Sequence, residues 1–184
     1  MQRYLDILDI INDVKKSIEN KNYLSALSLA LTIPDKCGQI EYGTDVGVGQ
    51  RYIDWYNTWC HDYNNYQEML ELPDADGKFI YQLRCSFLHA HSTDLDYDKL
   101  EQKNKLDEFE LEIGDYMDGV FAVYASGVIN DGESRHMRLR LIDLCLLICH
   151  GAQKYYEKNK QKVNEASKII ISDYRDILRK NRLN

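Results

Sequence analysis

Arg84 and His89 stand five positions apart in the run Tyr81-Gln82-Leu83-Arg84-Cys85-Ser86-Phe87-Leu88-His89-Ala90, and His91 follows two positions later. A guanidinium offers a planar set of donors that can hold phosphate oxygens, and an imidazole can move a proton near neutral pH. Together they suit cleavage of an RNA phosphodiester, because RNA supplies its own nucleophile, the 2′-hydroxyl, and this chemistry calls for no metal. The same residue types also fit a purely structural role, in which Arg84 pairs with a neighbouring carboxylate and a histidine closes the helix end.

Helix geometry constrains the pair. Five steps along an α-helix advance about 7.5 Å and turn about 140°, so Arg84 and His89 converge on one phosphate only if the helix ends near His89. His91 is the alternative proton-transfer residue, since seven positions after Arg84 it returns to nearly the same face of a continuing helix. Cys85 would act as a nucleophile only beside a base that lowers its acidity constant. Asp35 and Glu41, around the end of the second expected helix, are supporting candidates for the same cleft, although carboxylates near a turn commonly bond locally. Cys145, Cys149 and His150 offer metal-ligand types, but the two cysteines sit in a strongly apolar run where buried thiols are the default. No metal and no cofactor are therefore expected.

Apolar spacing predicts the elements that must position these groups. Leu5, Leu8, Ile11, Val14 and Ile18 mark a helix over 4–18, and Leu24, Leu27, Leu29, Ala30 and Leu31 mark a central second helix that Pro34 bends or ends. Gly43, Gly47 and Gly49 make a loop that lacks the Gly-Lys-Ser or Gly-Lys-Thr ending of a phosphate-binding loop. A third helix over 50–66 carries Tyr52, Ile53, Tyr56, Trp59, Tyr63 and Tyr66, a stripe that belongs to a core or a subunit interface. After the turn at 73–77, a fourth helix over 79–90 buries Ile80, Leu83, Phe87 and Ala90 and carries the Arg-His motif. Alternation over 109–113 and the Val, Tyr and Phe content of 120–128 predict a hairpin. A long fifth helix over 133–159, capped by Ser134, buries Leu139, Ile142, Leu146 and Cys149, and a last helix covers 162–179. The expected fold is thus mainly α, a helical bundle of about five or six helices. A short β-hairpin is inserted between the motif helix and the long fifth helix, and 1–184 form a single domain.

Composition narrows the function classes. The chain carries 30 acidic and 23 basic side chains for a formal charge of -7, which argues against a surface that is basic throughout, and no DNA-binding motif is present. Basic runs remain at Arg135, Arg138 and Arg140 and at Arg175, Arg179, Lys180 and Arg182, where a solvated helix face is the plainer reading. Five scattered cysteines give no disulfide framework and suggest reduced thiols in a cytoplasm. The start of the chain lacks the pattern of a secretion signal, and 139–152 is too short and interrupted to span a bilayer.

The run from Tyr81 to Ala90 resembles the signature helix of the HEPN superfamily, in which Arg and His are separated by four to six residues. Ile33-Pro34-Asp35-Lys36-Cys37-Gly38-Gln39-Ile40-Glu41-Tyr42 and Arg51-Tyr52-Ile53-Asp54-Trp55-Tyr56 are similar to segments of an uncharacterised bacterial branch of HEPN-like proteins. The likeness spans 4–91 and extends more weakly over the hairpin and fifth helix. It implies a helical bundle that forms a homodimer through its motif helices, with Arg84 on the scissile phosphate of RNA and His89, or His91, transferring the proton. Many such proteins are metal-independent endoribonucleases in toxin-antitoxin or phage-defence systems, which would give this chain an antitoxin or regulatory protein partner. Others are inactive interaction or regulatory modules. Cys85 departs from the Asn, Asp or His that follows the arginine in many active members.

Overall fold

In the computed structural model, residues 2–60, 76–88, 108–113, 136–166 and 169–172 are described. Their elements are β1 (Gln2–Leu5), α1 (Ile7–Glu19), α2 (Tyr23–Tyr42), α3 (Val48–Trp59), α4 (Gly77–Leu88), β2 (Glu108–Glu112), β3 (His136–Arg140), α5 (Leu141–Lys158), α6 (Lys160–Ala166) and β4 (Ile169–Ser172). Mainly α character and the helical bundle are as expected, with six helices among the described residues, none of which is long and apolar enough to cross a membrane.

Asp6 fixes where the first helix starts. Its carboxylate accepts from Asp9 N at 3.0 Å, while the Asp9 carboxylate accepts from Asp6 N at 3.1 Å, and this reciprocal cap satisfies amides that the first turn leaves unpaired. The helix expected from Tyr4 therefore begins at Ile7, burying Ile7, Ile11 and Val14, and Leu5 belongs to a strand instead. That strand pairs antiparallel with β4, Leu5 opposite Ile169 and Gln2 opposite Ser172. The last helix expected over 162–179 holds over 162–166, within α6, and is corrected at 169–172 for the same reason. Three consecutive β-branched isoleucines favour a pleated strand once a partner is available, and the partner comes from the opposite end of the sequence. Residues 173–179 lie outside the described residues.

The second helix does not stop at Pro34. It continues to Tyr42, and Ala26, Leu27, Ala30, Leu31, Ile33, Cys37 and Gly38 are buried along it on both sides of the proline. An interior proline removes one helical hydrogen bond, and the burial of this unbroken face against α1, α3 and α5 outweighs that loss. Leu24, counted as part of the dense apolar run, is exposed. Tyr52, Trp55 and Tyr56 of α3 are fully buried, so the aromatic stripe is core here, while Tyr63 and Tyr66 lie outside the described residues.

The second strand of the expected hairpin, 120–128, lies outside the described residues, as does Ser134. β2 forms where alternation predicts it and pairs in parallel with β3, Glu108 opposite His136 and Glu112 opposite Arg140, and parallel strands require a crossover rather than a tight turn. Because 136–140 are a strand, the fifth helix begins at Leu141, with Arg140 as its N-cap. Cys149 is buried as expected, together with Leu144, Cys145, Leu147, Ile148, Gly151, Ala152 and Tyr155, while Ile142 and Leu146 are only partly buried.

Candidate functional site

Three helices bring one carboxylate and two guanidiniums together. Asp35 lies past the proline on α2, Arg51 near the start of α3 and Arg84 in the second half of α4. Arg51 Nη2 donates to Asp35 Oδ1 at 3.4 Å, and Arg84 Nη2 donates to Asp35 Oδ2 at 3.4 Å. Each oxygen of the carboxylate thus meets a different arginine. Arg51 Nη1 also donates to the Val46 carbonyl at 3.3 Å, which ties the glycine-rich loop to the cluster.

Local sequence explains why the helices sit so close. Gly38 faces the α3 backbone so tightly that a Cβ there would lie 2.6 Å from the Arg51 carbonyl oxygen. Gly77 does the same for α4, where an added Cβ would lie 2.6 Å from the Ile53 carbonyl oxygen. Its amide donates to Asn57 Oδ1 at 2.7 Å, and Asp76 Oδ1 accepts from Lys78 N at 2.9 Å and from Phe79 N at 3.1 Å. The motif helix is therefore pinned to α3 at its first turn, and Ile80 and Leu83 bury its inner edge, as expected.

Two tyrosines flank the charges. Tyr52 and Tyr81 have ring centroids 5.3 Å apart, and the Arg84 guanidinium lies 5.8 Å from the Tyr81 centroid, within reach of a cation–π attraction. Burial pushes the Tyr52 phenol well up, against the opposing effect of Arg84. Burial and then Cys85 push the Tyr81 phenol up, again with Arg84 opposing. Both are neutral hydrogen-bond donors near neutral pH, and the buried Tyr52 hydroxyl has no hydrogen-bond partner among the described residues. Cys85 is buried beside the site and accepts from Arg84 Nη1 at 3.9 Å.

The expected carboxylates part company. Asp35 joins Arg84, whereas Glu41 Oε2 accepts from the Tyr155 hydroxyl at 3.1 Å and from Lys162 Nζ at 3.0 Å. Glu41 thus clasps α2 to α5 and α6. His89 and His91 lie outside the described residues, so the geometry of the site rests on Arg84, Asp35 and Arg51. Arg51 was not among the residues singled out by spacing; its signal was only its presence in the Arg51-Tyr52-Ile53-Asp54-Trp55-Tyr56 segment.

Cys145 and Cys149 are buried, as the apolar run suggested, and burial pushes both thiols up, Cys149 to about 12. Among the described residues, no group of three or more His, Cys, Asp or Glu side chains could hold a metal ion. Of the basic runs, Arg140 pairs with Asp143 at 3.1 Å, while Arg135 and the run at 175–182 lie outside the described residues.

Compared with protein-family models, with curated proteins and with solved structures, the chain matches none.

Proposed function

We propose that this chain is a HEPN-like, metal-independent endoribonuclease that works as a cytoplasmic homodimer. Arg84 holds the scissile phosphate, and His89 or His91 transfers the proton. The 2′-hydroxyl loses its proton, its oxygen attacks the adjacent phosphorus, and the bond to the 5′-oxygen breaks as that oxygen is protonated. The products are a 2′,3′-cyclic phosphate and a 5′-hydroxyl. The observation that supports this reading is the gathering of Arg84 and Arg51 on opposite oxygens of one carboxylate. Donors that hold two carboxylate oxygens are matched to two phosphate oxygens as well.

One observation favours a second reading, a non-catalytic HEPN-like interaction or regulatory module: Arg84 is engaged by Asp35 within its own subunit. Purified wild type, Arg84→Ala, His89→Ala and His91→Ala incubated with several RNAs and a chelator separate the two. The endoribonuclease produces cyclic-phosphate ends, and loss of Arg84 or of the proton-transfer histidine lowers the rate by roughly 10²- to 10⁴-fold. Absence of cleavage by all four proteins would leave the binding-module reading in place. Roles in toxin-antitoxin or phage-defence systems, with an antitoxin or regulatory partner, extend the proposal and are tested by co-purification from the native host.

A further inference from the structure

From the relative exposure of the three charged groups we infer that Asp35 is a gate residue: its carboxylate occupies the place of a substrate phosphate and must be displaced from the two guanidiniums before an oxyanion can bind. The inference deepens the RNA-binding reading above and rests on it for the identity of the ligand. The Asp35 side chain is 29% exposed, while Arg51 and Arg84 are 10% and 16% exposed. In proportion to its size, the carboxylate is the most solvent-accessible of the three groups.

Geometry supports displacement over simple bracing. In the contacts described, Asp35 meets Arg51 through Oδ1 and Arg84 through Oδ2, at 3.4 Å in both cases, well beyond the length of a strong charge-assisted bond. Neither guanidinium is forked onto the carboxylate through the contacts described above. A phosphate can offer one oxygen to each Nη2 in the same bridging manner and has further oxygens to spare. The Tyr52 ring packs against the Tyr81 ring beside Arg84, with centroids 5.3 Å apart, and its buried hydroxyl has no hydrogen-bond partner among the described residues. A carboxylate in this place screens the arginines from other cellular anions, so that only a ligand with added contacts displaces it. An RNA strand, which brings neighbouring nucleotides to the surface, has such contacts, and free phosphate does not.

The decisive variant is Asp35→Asn, which keeps size and removes charge. Its binding is compared with wild type for two probes, inorganic phosphate against chloride at matched ionic strength, and a fully 2′-O-methylated oligoribonucleotide that cannot be cleaved. Phosphate should raise the melting temperature of D35N more than that of wild type, and the oligoribonucleotide should bind D35N about tenfold more tightly. Adding Arg51→Gln to D35N should abolish both gains. Asp35→Glu, which retains a carboxylate, should bind both probes no more tightly than wild type. A folded D35N that binds both probes equally to or more weakly than wild type would overturn the inference, and so would a D35E that gains affinity. If D35N unfolds in chloride, recovery of a cooperative melt in phosphate supports the gate, and failure to recover counts against it. A gain for phosphate without any binding of the oligoribonucleotide would keep the gate and refute the RNA reading, whereas RNA cleavage by wild type alongside weakened binding in D35N would do the reverse.

Discussion

Arg84 Nη2 lies 3.4 Å from Asp35 Oδ2, a contact between α4 and the far half of α2. Continuation of α2 beyond Pro34 makes it, because a helix ending at the proline would not carry Asp35 on the same rigid element as the buried Ile33 and Cys37. The fork of the guanidinium should therefore matter as well as its charge. Arg84→Lys, assayed for cleavage with saturating RNA, is expected to lose roughly 10²-fold in rate, since an ammonium is a point charge that does not reproduce planar donors. Retention of full activity by R84K would remove the argument for a positioned guanidinium.

Gly38 offers a test of the packing that delivers Arg51. An alanine normally favours a helix interior over glycine by about 1 kcal/mol, yet here its Cβ would lie 2.6 Å from a backbone oxygen of α3. Gly38→Ala should accordingly destabilise the protein by about 1–3 kcal/mol in a urea titration, the usual cost of overpacking, and should weaken binding of the uncleavable oligoribonucleotide by shifting α3. A neutral or stabilising outcome would mean that the helices can separate without consequence.

Tyr155 separates packing from polarity. Its ring lies edge-on to Trp55 and Trp59, with centroids 5.9 and 5.2 Å away, and its hydroxyl donates to Glu41. Tyr155→Phe should cost about 1 kcal/mol, because Glu41 keeps its contact with Lys162. Tyr155→Ala should cost about 3–5 kcal/mol, the range for emptying a large buried aromatic site. Chemical denaturation of both variants checks the ratio, and equal losses would contradict it.

Two groups set expectations for pH, the buried Cys149 and the partly buried His150. Burial, opposed by Lys15, raises the Cys149 thiol from 9.0 to about 12, so the fold prefers the protonated form. The stability this preference contributes is complete below 9.0 and is lost as pH rises towards 12, at up to about 1.4 kcal/mol per unit. Cys149→Ala should flatten the alkaline fall in unfolding free energy relative to wild type over that window. His150 behaves in the opposite sense: burial and then Lys154 lower it from 6.5, opposed by Glu157. Its contribution is complete above 6.5 and is lost as pH falls through the lowered value, so His150→Gln should flatten the acid side of the profile. Parallel profiles for wild type and variant would refute either assignment.

Where a local pattern had a local cause, the sequence was a sound guide. Ile80 and Leu83 lie on the inner edge of α4 because a period near 3.6 puts them on one face, and Tyr52 and Tyr56 are core for the same reason. β2 follows from alternation over 109–113. Errors arose where pairing was remote: Leu5 and Ile169 fit a helical period, but they lie opposite each other in a two-stranded sheet. Of the apolar side expected for the fifth helix, Cys149 is buried on α5 and Leu139 is buried in β3, while Ile142 and Leu146 are only partly buried because the packed side of α5 centres on Leu144 and Ile148.

Residue types and spacing alone determined the mainly helical character, the buried edge of the motif helix and Arg84 as the group to watch, because each depends on periodicity or on the chemistry of one side chain. Only the tertiary structure decided that Asp35 faces Arg84 while Glu41 turns to Tyr155 and Lys162, and that Arg51 completes the cluster. Those choices depend on how closely α2, α3 and α4 approach. That approach is set by long-range packing at Gly38 and Gly77, which a one-dimensional pattern does not contain.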